Sequence, residues 1–250
     1  MYPMALQMWS VRRAAQDDPA ATLRQVAQAG YVGIETAGLY GREPAEFRKM
    51  IDDAGLSVCA AHVPAPTKEN IGELAETAKA LGCSMLVSGH KPDFFKTADS
   101  IAAVATGFQA AAEALRPHKI KLGYHNHWWE FDHVGGELAM EQLARQMPDV
   151  FIELDIYWAS NFGKNDVPAF LRKHARRIPL LHVKDGPLVK DQPHTAVGAG
   201  KVDVPGTVGA ADPKVLQWLI VELDECATDM MQAVRDSANY LVKAGLAKRK

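Results

Sequence analysis

The sequence predicts a single-domain α/β chain closed into a (β/α)8 barrel, on three observations. Eight short apolar runs alternate with helical patterns along 250 residues, near the usual size of one such barrel. Several of these runs are continuously apolar, as parallel strands covered on both faces should be. Helix after helix ends on a glycine that leads into the next strand-like run.

The strand-like runs are Ala5–Ser10, Tyr31–Glu35, Ser57–His62, Ser84–Ser88, Lys121–His125, Phe151–Asp155, Pro179–Val183 and Trp218–Glu222. Ala20–Ala29, Pro44–Ala54 and Ile71–Leu81 carry apolar residues at helical spacing and stop at Gly30, Gly55 and Gly82. Ser100–Leu115 is an alanine-rich helix that ends before Pro117, and Met140–Gln146, Val167–Ala175 and Asp229–Ala244 complete the helical set. One stretch breaks the rhythm. From Lys184 to Pro213 the chain is rich in Gly, Pro and polar residues, and a loop of that length in a compact domain is functional or mobile. No GxGxxG follows the first strand, which argues against a dinucleotide-binding sheet. No shift in composition marks a boundary, so residues 1–250 read as one domain.

Composition narrows the function classes. With 48% hydrophobic and 23% charged residues and a net charge of −2, the chain reads as an ordinary globular protein. The one basic run, Lys248-Arg249-Lys250, reads as a solvated terminus, so nucleic acid is not an expected partner. Cys59, Cys83 and Cys226 form no CxxC pair and no disulfide framework, which fits a reducing compartment. Cys59 and Cys83 sit in apolar runs and read as core. No apolar run approaches the roughly 18 residues a membrane span needs, and Met1-Tyr2-Pro3-Met4 has no signal-peptide pattern. A cytoplasmic protein without a membrane partner is expected.

In a barrel of this kind the active site lies at the C-terminal ends of the strands. The first strand ends near Trp9-Ser10. The others close on Glu35, His62, His90, the run His125-Asn126-His127-Trp128-Trp129-Glu130, Asp155, His182 with Lys184 and Asp185, and Glu222 with Asp224. Such groups are costly to bury without partners, and the fold would gather them at one mouth. Mixed His, Asp and Glu donors favour one divalent metal ion such as Mn2+, Mg2+, Co2+ or Zn2+. The candidate ligands are Glu130, Asp155, His182 and Glu222. A metal there would polarise a carbonyl and make a neighbouring proton acidic, and a flanking carboxylate or imidazole would take and return it.

Each residue also has a blander reading. Asp155 would serve as a helix N-cap, His182 as a satisfied core histidine, Glu35 as a helix anchor, and His62 and His90 as rim groups. Glu222 is a charge inside an apolar run, which is harder to explain without function. Trp9, Trp128, Trp129, Tyr157 and Trp158 lie at or past strand ends, where they would stack on sugar faces or pack under the long loop. Trp218 opens the last strand at the opposite end and reads as packing.

Five stretches in order carry a resemblance: GYHNHWWEF (Gly123–Phe131), ELDIYWAS (Glu153–Ser160), LLHVKDG (Leu181–Gly186), VGAGKVD (Val197–Asp203) and WLIVELD (Trp218–Asp224). The chain resembles the xylose isomerase-like TIM barrel superfamily of sugar phosphate isomerases and epimerases, in a subgroup marked by the HNH run. That resemblance implies a single-metal site on Asp155, His182 and Glu222, with Glu130 as the fifth-strand ligand and His125 as its substitute. It implies that Glu130 and Glu222 double as acid and base, with His62, His127 and Lys184 as further candidates for proton transfer or for holding substrate hydroxyls. Trp9, Glu35, His62, His90, His125 and Trp158 would surround the substrate. Some epimerase relatives place a His three residues past the sixth-strand Asp, where this chain has Trp158. The implied activity is an isomerase or epimerase acting on a sugar or sugar-like polyol through an enediolate. The alternative is a lyase or dehydratase on a keto-sugar, keto-glycoside or keto-inositol, and the third reading is a non-catalytic sugar-binding barrel. The superfamily's endonuclease branch, with its histidine-rich three-metal cluster, fits neither the charge balance nor the residues after Asp155. Relatives are often dimers or tetramers, so a homo-oligomer is compatible.

Overall fold

A computed structural model describes residues 1–249 as a closed parallel barrel wrapped by helices. Lys250, the last residue of the basic tail, lies outside the described residues. The barrel strands are β1 (Tyr2–Gln7), β2 (Gly33–Ala37), β3 (Ser57–His62), β4 (Met85–Ser88), β5 (Lys121–His125), β6 (Phe151–Asp155), β7 (Leu180–Val183) and β8 (Trp218–Val221). Each pairs with the next in parallel, and β8 returns to β1 with Ala5 opposite Ile220. Ala247–Lys248 adds a short parallel pairing beside Tyr2–Pro3, so this part of the basic tail is docked on the sheet.

The eight strands fall where the periodicity placed them, with shifted ends. β1 stops at Gln7 instead of Ser10 because Met8–Ser10 already turn. The Ser10 Oγ accepts the Leu223 N–H at 3.0 Å, tying that turn to the strand on the far side of the seam. Alternating apolar residues therefore continued past the last ladder bond.

Helices follow their caps. The Asp18 carboxylate caps Pro19–Gln28 by accepting the Ala21 N–H, with Pro19 in the first turn, and Thr97 with Ser100 forms a capping box for Ala98–Leu115. Gly55 and Gly82 follow the helices Pro44–Asp53 and Ile71–Ala80 at φ 68° and 64°, the left-handed backbone that makes glycine the natural stop. Three short helices escaped periodicity: Arg12–Asp17, Ile156–Ala159 and Val204–Gly209. The last lies inside the long β7–β8 connection.

The core is divided by the barrel wall. A large outer cluster packs the strands against the helices. A small inner cluster of Ala5, Cys59, Ala60, Met85, Val87, Leu180 and Ile220 plugs the barrel, with Phe151 and Trp218 at its floor. Gly33 and Gly123 make room for those two rings: a Cβ on Gly33 would sit 2.9 Å from the Trp218 ring, and one on Gly123 2.2 Å from Phe151. Cys59 and Cys83 are buried as expected. Between Ile34 opposite Val58 and Glu35 opposite Ala60 the register slips by one residue. Above the plug the interior turns polar, because the inward positions of the upper strands are Gln7, Glu35, His125, Glu153, Asp155 and His182.

Candidate active site

Inward alternation stacks this polar set in two tiers. The lower tier centres on His182 and is buried except for His62 at its edge. Its Nε2 lies 3.0 Å from Glu35 Oε2 and 3.1 Å from Glu153 Oε2. The same Glu153 oxygen is 3.0 Å from His125 Nδ1. Gln7 donates to Glu35 Oε1 at 2.7 Å, and His62 Nδ1 is 3.4 Å from that oxygen. Two like charges this close cannot both ionise freely. Burial and the neighbouring Glu35 hold the Glu153 carboxyl well above its usual range. Burial pushes Glu35 the same way, but His182 and then His62 bring it down to about 2. Burial disfavours the His182 cation, but Glu153 and Glu35 outweigh it and keep its pKa well above normal.

The upper tier faces the mouth. The Lys184 ammonium is buried and lies 2.9 Å from Glu222 Oε2, 2.9 Å from Asp224 Oδ2 and 3.1 Å from Asp155 Oδ2. Burial opposes its charge, but Asp155, Asp224 and Glu222 more than offset that, so it stays a cation. Glu222 also meets His182 Nδ1 at 2.8 Å. Against the effect of burial, Lys184 and His182 hold its carboxyl well below the normal range. Asp155 does cap Ile156–Ala159, but only through Oδ1, which accepts the Trp158 N–H at 2.9 Å. Its buried Oδ2 has the Lys184 ammonium beside it at 3.1 Å but no donor in hydrogen-bond geometry. Burial, followed by His182, holds the His125 pKa well below normal, so that imidazole is neutral.

Donor atoms of His125, Asp155, His182 and Glu222 all lie within 4.8 Å of one another. This set fits a divalent cation. It offers two imidazoles and two carboxylates, including a buried Asp155 oxygen that makes no hydrogen bond and meets only the Lys184 ammonium, and its histidines are backed by Glu35 and Glu153 as metal-bound histidines usually are.

Glu130 is placed elsewhere. Its oxygens accept the Tyr124 hydroxyl at 2.7 Å and the His127 N–H at 2.8 Å, so it braces the turn after β5. His125 stands in the convergent position instead. The sequence does not show which way Glu130 points; the turn geometry does. His127 and Lys184 both line the central cavity, as do Trp9, His62 and Glu222. His90 lines a neighbouring arm, and Trp158 packs on His194 with Lys184 5.4 Å from its ring. Of the other aromatics, Trp129 stacks on His127, Tyr157 is buried, and Trp218 is the floor residue foreseen.

One residue was missed, and another was named at its strand end without its role. Glu153 is a second acid in Phe151–Asp155, two positions before Asp155 and hence on the same inner face. The spacing is the signal, and like Glu222 this residue is a charge inside an apolar run. Asp185 organises the long connection: its carboxylate accepts the N–H groups of Gly186, Gly198, Gly200 and Val202 at 2.8–3.0 Å. Gly200 is required there, since a Cβ would lie 2.1 Å from Asp185 Oδ1. The stretch that read as irregular is thus gathered around one buried side chain, with the Val197 N–H on Ser237 Oγ and the His194 N–H on the Glu225 carbonyl adding to it.

A closed barrel whose strand ends gather carboxylates, imidazoles and a buried lysine around one cavity has the architecture of a barrel enzyme. The chain belongs to the xylose isomerase-like TIM barrel family, whose model matches residues 23–244. It is similar to the inosose dehydratase of Glaesserella parasuis, at 25% identity over 86% of this chain and 82% of that one. A sugar phosphate isomerase/epimerase of known structure from Parabacteroides distasonis superposes with a TM-score of 0.81 at 28% identity, covering 99% of this chain and 96% of that one. The IolI protein, solved with a zinc atom, shares the fold at 14% identity and a TM-score of 0.75, covering 98% of each chain. No helix among the described residues is long and apolar enough to cross a membrane.

Proposed function

We propose that the chain is a divalent-metal-dependent lyase that removes water from a keto-inositol or related keto-sugar. The observation that carries this reading is Lys184. A buried ammonium fixed by three carboxylates faces the cavity beside the four-donor set, a preorganised positive charge where negative charge would develop on a substrate oxygen. The similarity to inosose dehydratases supports it, as does Trp158 at the place where some epimerase relatives carry a histidine. Isomerisation or epimerisation, the activity the sequence put first, begins with the same proton abstraction and remains the second reading, supported by the Parabacteroides distasonis neighbour.

His125, Asp155, His182 and Glu222 would hold the metal, which when bound supplies Lewis-acid polarisation of the substrate carbonyl. His62 is the base: its ring lines the cavity while buried Glu35 sits behind Nδ1 and orients it. It takes the proton next to the carbonyl. Lys184 stabilises the oxygen that gains charge, and the β-hydroxyl departs with the proton returned from His62. The C–H and C–O bonds break, a C=C bond forms, and one water is released.

Mass spectrometry of a keto-inositol incubated in D2O with enzyme and added Mn2+ tests this. The expected product is lighter by one water and disappears with His62→Gln. Unchanged mass apart from deuterium at the carbon next to the carbonyl would replace dehydration with the isomerase reading.

A further inference from the structure

The cavity above the donor set has a volume of about 550 Å³. A second arm, also of about 550 Å³, opens off the same wall, and both arms include His62, Val63, Pro64 and His127 in their lining. They form one cleft. Each arm alone is within the range that takes a drug-sized ligand, about 300–1,000 Å³, so a single six-membered polyol leaves one arm empty.

The arms differ in chemistry. The first carries Lys184, Glu222 and Asp224. The second has no carboxylate in its lining, and its one fixed charge is the exposed Lys91. His90 is held below its usual pKa by burial. Trp129 stacks flat on His127, with centroids 4.2 Å apart and planes 9° from parallel. Its indole N–H is spent on the His90 carbonyl at 3.2 Å, so the ring offers this arm an apolar face. Phe94 leans on His90 at 4.2 Å and is 41% exposed, one of few large apolar side chains left in water. Pro64 and Pro92 bring no N–H. A second polyhydroxylated ring would lose hydrogen bonds to water here and find few replacements, and a phosphate would find one lysine. A planar apolar ring would find the aromatic side chains Trp129 and Phe94 in the lining.

We propose that the second arm is a subsite for an aromatic appendage joined to the sugar-like ring, so that the substrate is an aryl glycoside or comparable aryl ether of the keto-polyol. This rests on the reading that the first arm takes the polyol.

Calorimetric titration of the Mn2+-loaded protein with phenyl β-D-glucopyranoside and methyl β-D-glucopyranoside tests it without turnover. The phenyl compound should bind at least tenfold tighter, and in Phe94→Ala that ratio should fall below threefold. Phe94 is partly in solvent, so its truncation spares the core. Equal affinity for the two glycosides, or a phenyl advantage that survives Phe94→Ala, would overturn the subsite while leaving the polyol reading intact. Binding of neither glycoside would overturn it too, with the dehydration assay then deciding the fate of the polyol reading on its own.

Discussion

The floor and the mouth of the same barrel interior are built on opposite rules. At the floor, Phe151 and Trp218 fill space that Gly123 and Gly33 leave open, and shape alone decides what fits. At the mouth, every inward position carries a polar or charged group whose partner comes from another strand, and charge balance decides. Stability is concentrated below and chemistry above, so substitutions in the two regions should separate in what they damage.

The largest expected effect is at the floor. Gly123→Leu drives a side chain into the Phe151 ring, and overpacking of this kind costs about 3 kcal/mol or more. Urea unfolding should show the loss; a variant as stable as wild type would mean that the floor is not tightly packed.

The mouth should show its character through pH. Burial, then the nearby Lys184, depresses the His194 pKa to about 4, and its Nδ1 accepts the Asp224 N–H at 3.1 Å. The unfolded chain takes up this proton near pH 6.5 while the folded chain resists until about 4. Unfolding is therefore favoured as pH falls through that window, by about 3 kcal/mol in total at 1.36 kcal/mol per pH unit. His194→Gln should flatten this part of the stability curve, measured by urea midpoints between pH 7 and 4.

Asp185→Asn tests whether one carboxylate holds the β7–β8 connection. The amide would turn an NH2 toward two N–H donors, for a cost of about 2 kcal/mol. Hydrogen exchange should speed up at Gly198, Gly200 and Val202, and unchanged exchange would assign the order of this loop to its other contacts. Glu153→Leu should be milder for the fold but lower metal affinity at least about tenfold, because it strips the support behind His125 and His182. Titration with Co2+ would reveal it.

Much of this contrast was legible in the sequence, and the illegible part has a physical cause. The barrel could be read because parallel strands buried on both faces leave continuous apolar runs, and glycine stops punctuate them. Asp155, His182 and Glu222 stood out because each interrupts or closes such a run. Glu130 did not reveal its direction: a residue five positions past His125 can turn toward the cavity or back onto Tyr124, and the 3-10 turn Trp129–Phe131 decides. Asp185 could be named at its strand end, but its role was hidden because its partners are backbone N–H groups, which have no side-chain signature. The short helix Val204–Gly209 depends on the Asp203 cap rather than on periodicity.

The central claim is that the mouth holds one divalent cation on His125, Asp155, His182 and Glu222. Elemental analysis of the purified protein after Mn2+ loading and desalting, for wild type, Asp155→Ala and His182→Ala, tests it most directly. About one ion per wild-type chain is expected, and near none in either variant with the fold retained. A wild type that keeps no metal, or variants that keep as much as wild type, would contradict it.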